Sequence, residues 1–209
     1  MSLYPAPGEI ITVDGTDMHI YCVGEGSPTA IFEAGLGGNY MDWTLVQPAI
    51  SEHTRTCAYD RSGMGYSDYL GTPLDSEATA QRLHQLLSAA EIAPPYILVG
   101  HSIGGIHVRS LYELYPEDVV AMVLVDSSHE NQGQYLPQPP FFVNVLYNIA
   151  PTLAQVGIVR GLGLSQQNVA DHLTPEQASQ VSAMVNRTAF WQALNAENQM
   201  VTIDTNQER

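Results

Sequence analysis

Apolar positions recur along the first half of the chain in two rhythms. Glu9 to Val13 alternates up to the turn Asp14-Gly15, Met18 to Val23 runs apolar until Gly24-Glu25-Gly26, and Thr29 to Phe32 is a buried run ending at Glu33-Ala34-Gly35. Short runs bounded by glycine turns predict three strands. Met41 to Ile50 has helical spacing, and Thr56 to Tyr59 reads as a fourth strand ending at Asp60-Arg61-Ser62-Gly63. Asp75 can cap a helix whose Ala78, Leu83, Leu86, Leu87 and Ala90 share one face, and Pro94-Pro95 stop it. Tyr96 to Val99 is the next apolar run. It leads straight into Gly100-His101-Ser102-Ile103-Gly104-Gly105 and a helical stretch with Ile106, Val108, Leu111 and Leu114. Val119 to Val125 has the pattern of a further buried strand, ending at Asp126.

From Ser27 onward, strands and helices therefore alternate, which predicts an α/β fold: a mostly parallel sheet, strands one to six, with helices on both faces. The character changes after Glu130. Asn131 to Pro140 is rich in Gln and Pro, and Phe141 to Leu164 reads as apolar helices interrupted by Pro151, Gly157, Gly161 and Gly163. Thr174-Pro175-Glu176-Gln177 forms a capping box with Pro at the first helical position, opening a helix expected to reach about Asn195. The expected division is a core over residues 1–130 and a helical cap over 131–209.

Charge narrows the function classes. The chain has 209 residues and a formal charge of −15, and its only basic residues besides histidine are seven arginines, none clustered. Phosphate contacts come largely from basic side chains, so a nucleic-acid binder is disfavoured. The absence of Lys removes P-loop and Schiff-base chemistry. No apolar run is long enough to span a membrane. The start Met1-Ser2-Leu3-Tyr4-Pro5 shows no signal peptide, which favours a cytoplasmic setting while leaving the compartment open. Cys22 and Cys57 fall in strands without C-x-x-C spacing and are expected to be buried free thiols.

The sharpest chemical signal is G-x-S-x-G at Gly100 to Gly104, placed where a strand turns into a helix. A tight turn there exposes Ser102, and the glycines allow close backbone packing. The bland alternative is a glycine-rich turn with an incidental serine. A hydroxyl is a weak nucleophile at neutral pH, so acyl transfer at Ser102 needs a His to take its proton and an acid to orient that His. The Ile103 N–H, at a helix N-terminus, suits a developing oxyanion, and the N–H of Leu36 in Gly35-Leu36-Gly37-Gly38 is the candidate second donor.

Three motifs in order, Phe32 to Gly38, Tyr59-Asp60-Arg61-Ser62-Gly63-Met64-Gly65-Tyr66-Ser67 and Gly100 to Gly105, resemble the α/β-hydrolases, in particular the esterase and proline-iminopeptidase-like branch with a helical cap. The resemblance implies a cofactor-free serine hydrolase cleaving a small-molecule carboxylic ester, with Ser102 as nucleophile and Leu36 and Ile103 as the oxyanion hole. It also implies that the acid and His follow two further strands beyond the cap, and no such strand pair is visible after Asp126. The expectation is an N-terminal part completed by a second polypeptide segment. Within this chain Asp126 is a candidate acid, and Gly37, Gly38 and His129 are candidate pocket residues. His101, His19, His53, His84, His107 and His172 read as structural or surface residues. Asp60-Arg61 reads as a loop ion pair beneath the pocket. A serine at the turn argues against dehalogenases and epoxide hydrolases, which carry Asp there. Amide, thioester or carbon–carbon hydrolysis, and a non-catalytic ligand-binding module, stay open.

Overall fold

The computed structural model describes residues 4–135, 141–163 and 173–204. Its strands are β1 (Glu9–Val13), β2 (Thr16–Val23), β3 (Thr29–Glu33), β4 (Thr56–Tyr59), β5 (Tyr96–His101) and β6 (Val119–Val125). Among the described residues they form one sheet in the order β1-β2-β4-β3-β5-β6. β3 pairs parallel with β4 and β5, β5 pairs parallel with β6, and the β1-β2 hairpin joins antiparallel through β2 and β4. Crossovers are made by α1 (Gln47–Ser51), α2 (Ser76–Ala89) and α3 (Gly104–Leu114).

The period-2 alternation of the strands separates two cores. Ile31, Cys57, Tyr59 and Leu98 face one side, where they meet Leu83, Leu86 and Leu87 of α2 and Val108 and Leu111 of α3. Ala30, Phe32, Ala58 and Val99 face the other, against Tyr40, Met41 and Trp43. The Asp75 carboxylate accepts from the Ala78 N–H at 2.8 Å, capping α2 as the sequence requires.

Beyond β6 come α4 (Gln132–Tyr135), α5 (Phe141–Gln155), α6 (Ile158–Gly161), α7 (Pro175–Val185) and α8 (Thr188–Asp204). The capping box is present: Thr174 Oγ1 accepts from the Gln177 N–H while Gln177 accepts from the Thr174 N–H. Val181, Met184 and Val185 of α7 and Phe190 and Ala193 of α8 complete the second core, so these helices are packed onto the sheet.

Four expectations are corrected. Cys22 and Cys57 are not free thiols but a disulfide, because β2 and β4 are neighbours and place the two residues directly opposite, Cα to Cα 4.1 Å. Met41 to Ile50 is a 3₁₀ turn at Tyr40–Trp43 followed by the short α1, since Asn39 caps the turn through Met41 N–H. The helix opened by Thr174 stops at Val185 and α8 starts afresh at Thr188. β6 is not buried: among the described residues it is the sheet's edge, and Val120, Val123, Leu124 and Val125 are 60, 48, 45 and 40% exposed.

Candidate active site

The turn at the end of β5 is built by close backbone approach. A Cβ at Gly100 would lie 2.7 Å from Gly104 O, one at Gly104 would lie 2.6 Å from Glu33 O and Ala34 O, and one at Gly105 would collide with Ser127 Oγ. Only glycine fits at these positions. Between them Ser102 is held at φ +53°, a left-handed conformation in which a side chain is strained. Backbone bonds fix it there: Ser102 N–H donates to Val125 O, and its carbonyl accepts from Gly105 N–H and Ser128 N–H. Ser102 opens into a cleft of about 620 Å³ shared with Asp126, Ser127, Ser128, His129 and Tyr135.

The loop after β3 passes directly beside this turn. A Cβ on Gly35 would lie 3.3 Å from Ser102 Cβ and 3.0 Å from His101 Nδ1. Gly38 N–H donates to Gly35 O at 3.0 Å, closing the loop, and Gly37 takes φ +67°. Among the described residues, the Leu36 N–H and the Ile103 N–H make no hydrogen bond. Gly37 and Gly38 line a different pocket from His129, about 290 Å³, with Leu36, Asp42, Tyr147, Phe190 and Leu194.

Under the loop lies a buried charge cluster. Arg61 and Asp60 do not pair with each other as the sequence suggested, because successive residues leaving β4 point to opposite sides. The Asp60 carboxylate lies 2.7 Å from His19 Nδ1 and accepts from the N–H groups of Tyr40 and Tyr66. Arg61 donates to Glu33 at 2.5 Å, to the carbonyls of Ala34 and Gly35 at 2.7 and 2.6 Å, and to both carboxylate oxygens of Glu197 on α8. Tyr59 O–H donates to Glu33, and His107 Nδ1 is 3.5 Å from it. Burial pushes the Glu33 carboxyl up, but Arg61, with His107 and Tyr59, outweighs it and holds the group below the usual carboxylate range. Burial likewise disfavours the Arg61 charge, and Glu197 and Glu33 outweigh it, so its pKa lies well above the ordinary value. Glu33 and Glu197 were not singled out from the sequence, and Arg61 was read there as the partner of Asp60. Glu33 carried one signal, a charge closing an apolar strand.

The remaining candidates are dispersed. His129 is exposed, and its Nδ1 accepts from the Asn131 N–H. Asp126 is exposed at φ +42°, in the Ser102 cleft but without a hydrogen bond to His129 or Ser102. His84 stacks on Tyr115 and contacts Asp118, His19 is fully buried, and His53 is exposed. His172 lies outside the described residues. Among the described residues no histidine hydrogen-bonds Ser102, and no group of three His, Cys, Asp or Glu side chains is placed to hold a metal.

Residues 28–203 match the family model for the alpha/beta hydrolase fold, and the chain belongs to that family. An uncharacterized protein of Schizosaccharomyces pombe is 28% identical over 172 residues, 66% of this chain and 32% of that protein. An AB hydrolase superfamily protein of Gibberella zeae is 33% identical over 113 residues, 52% of this chain and 35% of that one. The chain spans from 32% to 46% of the length of the first three curated relatives. The enol-lactonase from Burkholderia xenovorans LB400 superposes with TM-score 0.68 at 19% identity, covering 92% of this chain and 73% of that one. The epoxide hydrolase CorEH gives 0.69 at 17%, covering 94% and 76%. At these identities the solved structures share the fold.

Proposed function

We propose that the chain is the nucleophile-bearing part of a serine hydrolase acting on small carboxylic esters. The observation that carries this is Ser102 held at φ +53° on a strand-to-helix turn, with two unengaged N–H groups, Leu36 and Ile103, on the elements beside it. Ser102 Oγ attacks the ester carbonyl carbon as a base takes its proton. The negative charge on the carbonyl oxygen is received by the two N–H groups, and the alcohol leaves with the proton. Water then hydrolyses the acyl-enzyme by the same steps in reverse. The helices of 131–209 form the cap that shapes substrate choice.

The base and its acid come, in this reading, from a further segment. It adds a parallel strand to the open edge of β6, covers the exposed Val120, Val123, Leu124 and Val125, and brings a His to the cleft beside Ser102. The greater length of the curated relatives leaves room for such a segment.

The test is hydrolysis of p-nitrophenyl esters by the longer protein and by residues 1–209. Ser102→Ala in the longer protein is expected to abolish turnover with the fold intact, and more than a few per cent of remaining activity sinks the assignment. Residues 1–209 alone are expected to fall about 10⁶-fold short, as when a triad His is removed. Full turnover by a soluble monomer of 1–209 refutes the missing base.

A further inference from the structure

Glu197 lies far from Ser102 in sequence and belongs to α8, yet it touches the loop that carries the Leu36 N–H. Its Oε2 accepts from the Gly37 N–H at 2.9 Å and from Arg61 Nη2 at 3.1 Å, and its Oε1 accepts from Arg61 Nε at 2.7 Å. The same guanidinium donates to Ala34 O and Gly35 O.

The peptide bond is planar and trans, so a carbonyl and the N–H that follows it point in opposite directions within one plane. Arg61, by holding the Gly35 carbonyl, therefore aims the Leu36 N–H the other way. Glu197, by holding the Gly37 N–H, fixes the next plane, so both planes meeting at the Leu36 Cα are pinned. Glycine rotates its flanking planes at little steric cost, and this loop has glycine at 35, 37 and 38. Within the loop itself, the plane that carries the Leu36 N–H is held by the bond from Gly38 N–H to Gly35 O, and the plane that follows it has no partner inside the loop. The contact is reinforced one turn earlier on α8, where Leu194 packs so tightly on Gly37 that a Cβ there would come within 2.8 Å of its Cδ1. Arg61 also answers a charge problem: a lone carboxylate beside an oxyanion site would oppose the developing charge, and the paired guanidinium offsets it.

We propose that Glu197 is a positioning residue for the oxyanion loop, acting through Gly37 and Arg61, so that the seating of α8 sets the aim of the Leu36 N–H. The proposal rests on the serine-hydrolase reading above. Three variants separate reach from charge: Glu197→Ala loses the acceptor, Glu197→Gln keeps an acceptor of the same reach without the charge, and Glu197→Asp keeps the charge but falls short by one methylene.

In the longer protein Glu197→Ala and Glu197→Asp are expected to lower kcat about 10- to 100-fold with KM within about 3-fold, and Glu197→Gln to recover most of the loss. Hydrogen exchange on residues 1–209 gives a second measure that needs no activity. The Gly37 amide is expected to exchange at least about tenfold faster in the Ala and Asp variants, with Gln close to wild type and the β3 to β5 amides unchanged. If Glu197→Ala does not fold, the Asp and Gln pair carries the comparison. Folded Asp or Ala variants with wild-type kcat, or unchanged Gly37 exchange, overturn the proposal. Activity surviving Ser102→Ala overturns the serine reading instead, while the exchange data still decide whether Glu197 holds the loop.

Discussion

Glu33 closes the central strand and is fully buried, yet Arg61 keeps it ionised. Its folded pKa lies below the unfolded value, so its ionised form stabilises the fold. That contribution is complete above the ordinary carboxylate pKa, about 4.3, and is lost as pH falls through the lower folded value. Glu33→Gln leaves Arg61 short of a buried partner, a change that typically costs about 3 to 5 kcal/mol. The gap in Tm between wild type and Glu33→Gln is expected to be widest near neutral pH and to shrink below about pH 4. Calorimetry from pH 3 to 8 checks this, and a gap that widens on acidification contradicts it. The legibility of individual residues followed the range of their partners. Ser102 and Leu36 stood out because strand, glycines and helix start all lie within a few positions. The Arg61–Glu197 contact spans 136 residues and leaves no local pattern.

At the scale of elements, period and punctuation in the sequence located every strand among the described residues and the helices α2 and α3, because alternation and glycine turns are local. They failed where tertiary contacts decide. The break between α7 and α8 has neither Pro nor Gly: Arg187 turns to donate to Gly65 O at 2.6 Å, and Trp191 Nε1 donates to Val185 O at 2.8 Å. β6 misled in the opposite way, since an apolar run is consistent with burial but does not say where in the sheet the strand falls. An exposed apolar edge strand is an aggregation site, and a lysine on it is a common remedy. Val120→Lys is therefore expected to raise the soluble fraction of residues 1–209, read by light scattering. In the longer protein proposed above, where a further strand covers that position, the same change should lower Tm. A variant that aggregates as readily as wild type speaks against the open edge as the cause.

For the whole molecule, the fold class was legible because it follows from the order of strands and helices, whereas the disulfide depended on which strands become neighbours. Cys22 and Cys57 are 35 positions apart in the sequence, and closing a loop of that length constrains the unfolded chain by about 3 to 4 kcal/mol in the entropic account. For a chain of this size that corresponds to a fall of about 10 °C in Tm on reduction or in Cys22→Ser/Cys57→Ser. Thermal melts with and without dithiothreitol measure it, and identical curves would count against the bond. Such bonds persist in oxidising compartments.

The same bond divides the candidate site topologically. β3, the Gly35 to Gly38 loop and α1 all lie inside the covalent ring, whereas Arg61, Ser102 and Glu197 lie outside it. Exposed points of the ring include Glu25-Gly26 and Glu52-His53. A single protease cut there opens the backbone without releasing a fragment: β2 and β4 stay joined, and the loop beside Ser102 stays attached at one end. A cut in the helical half has no such tether.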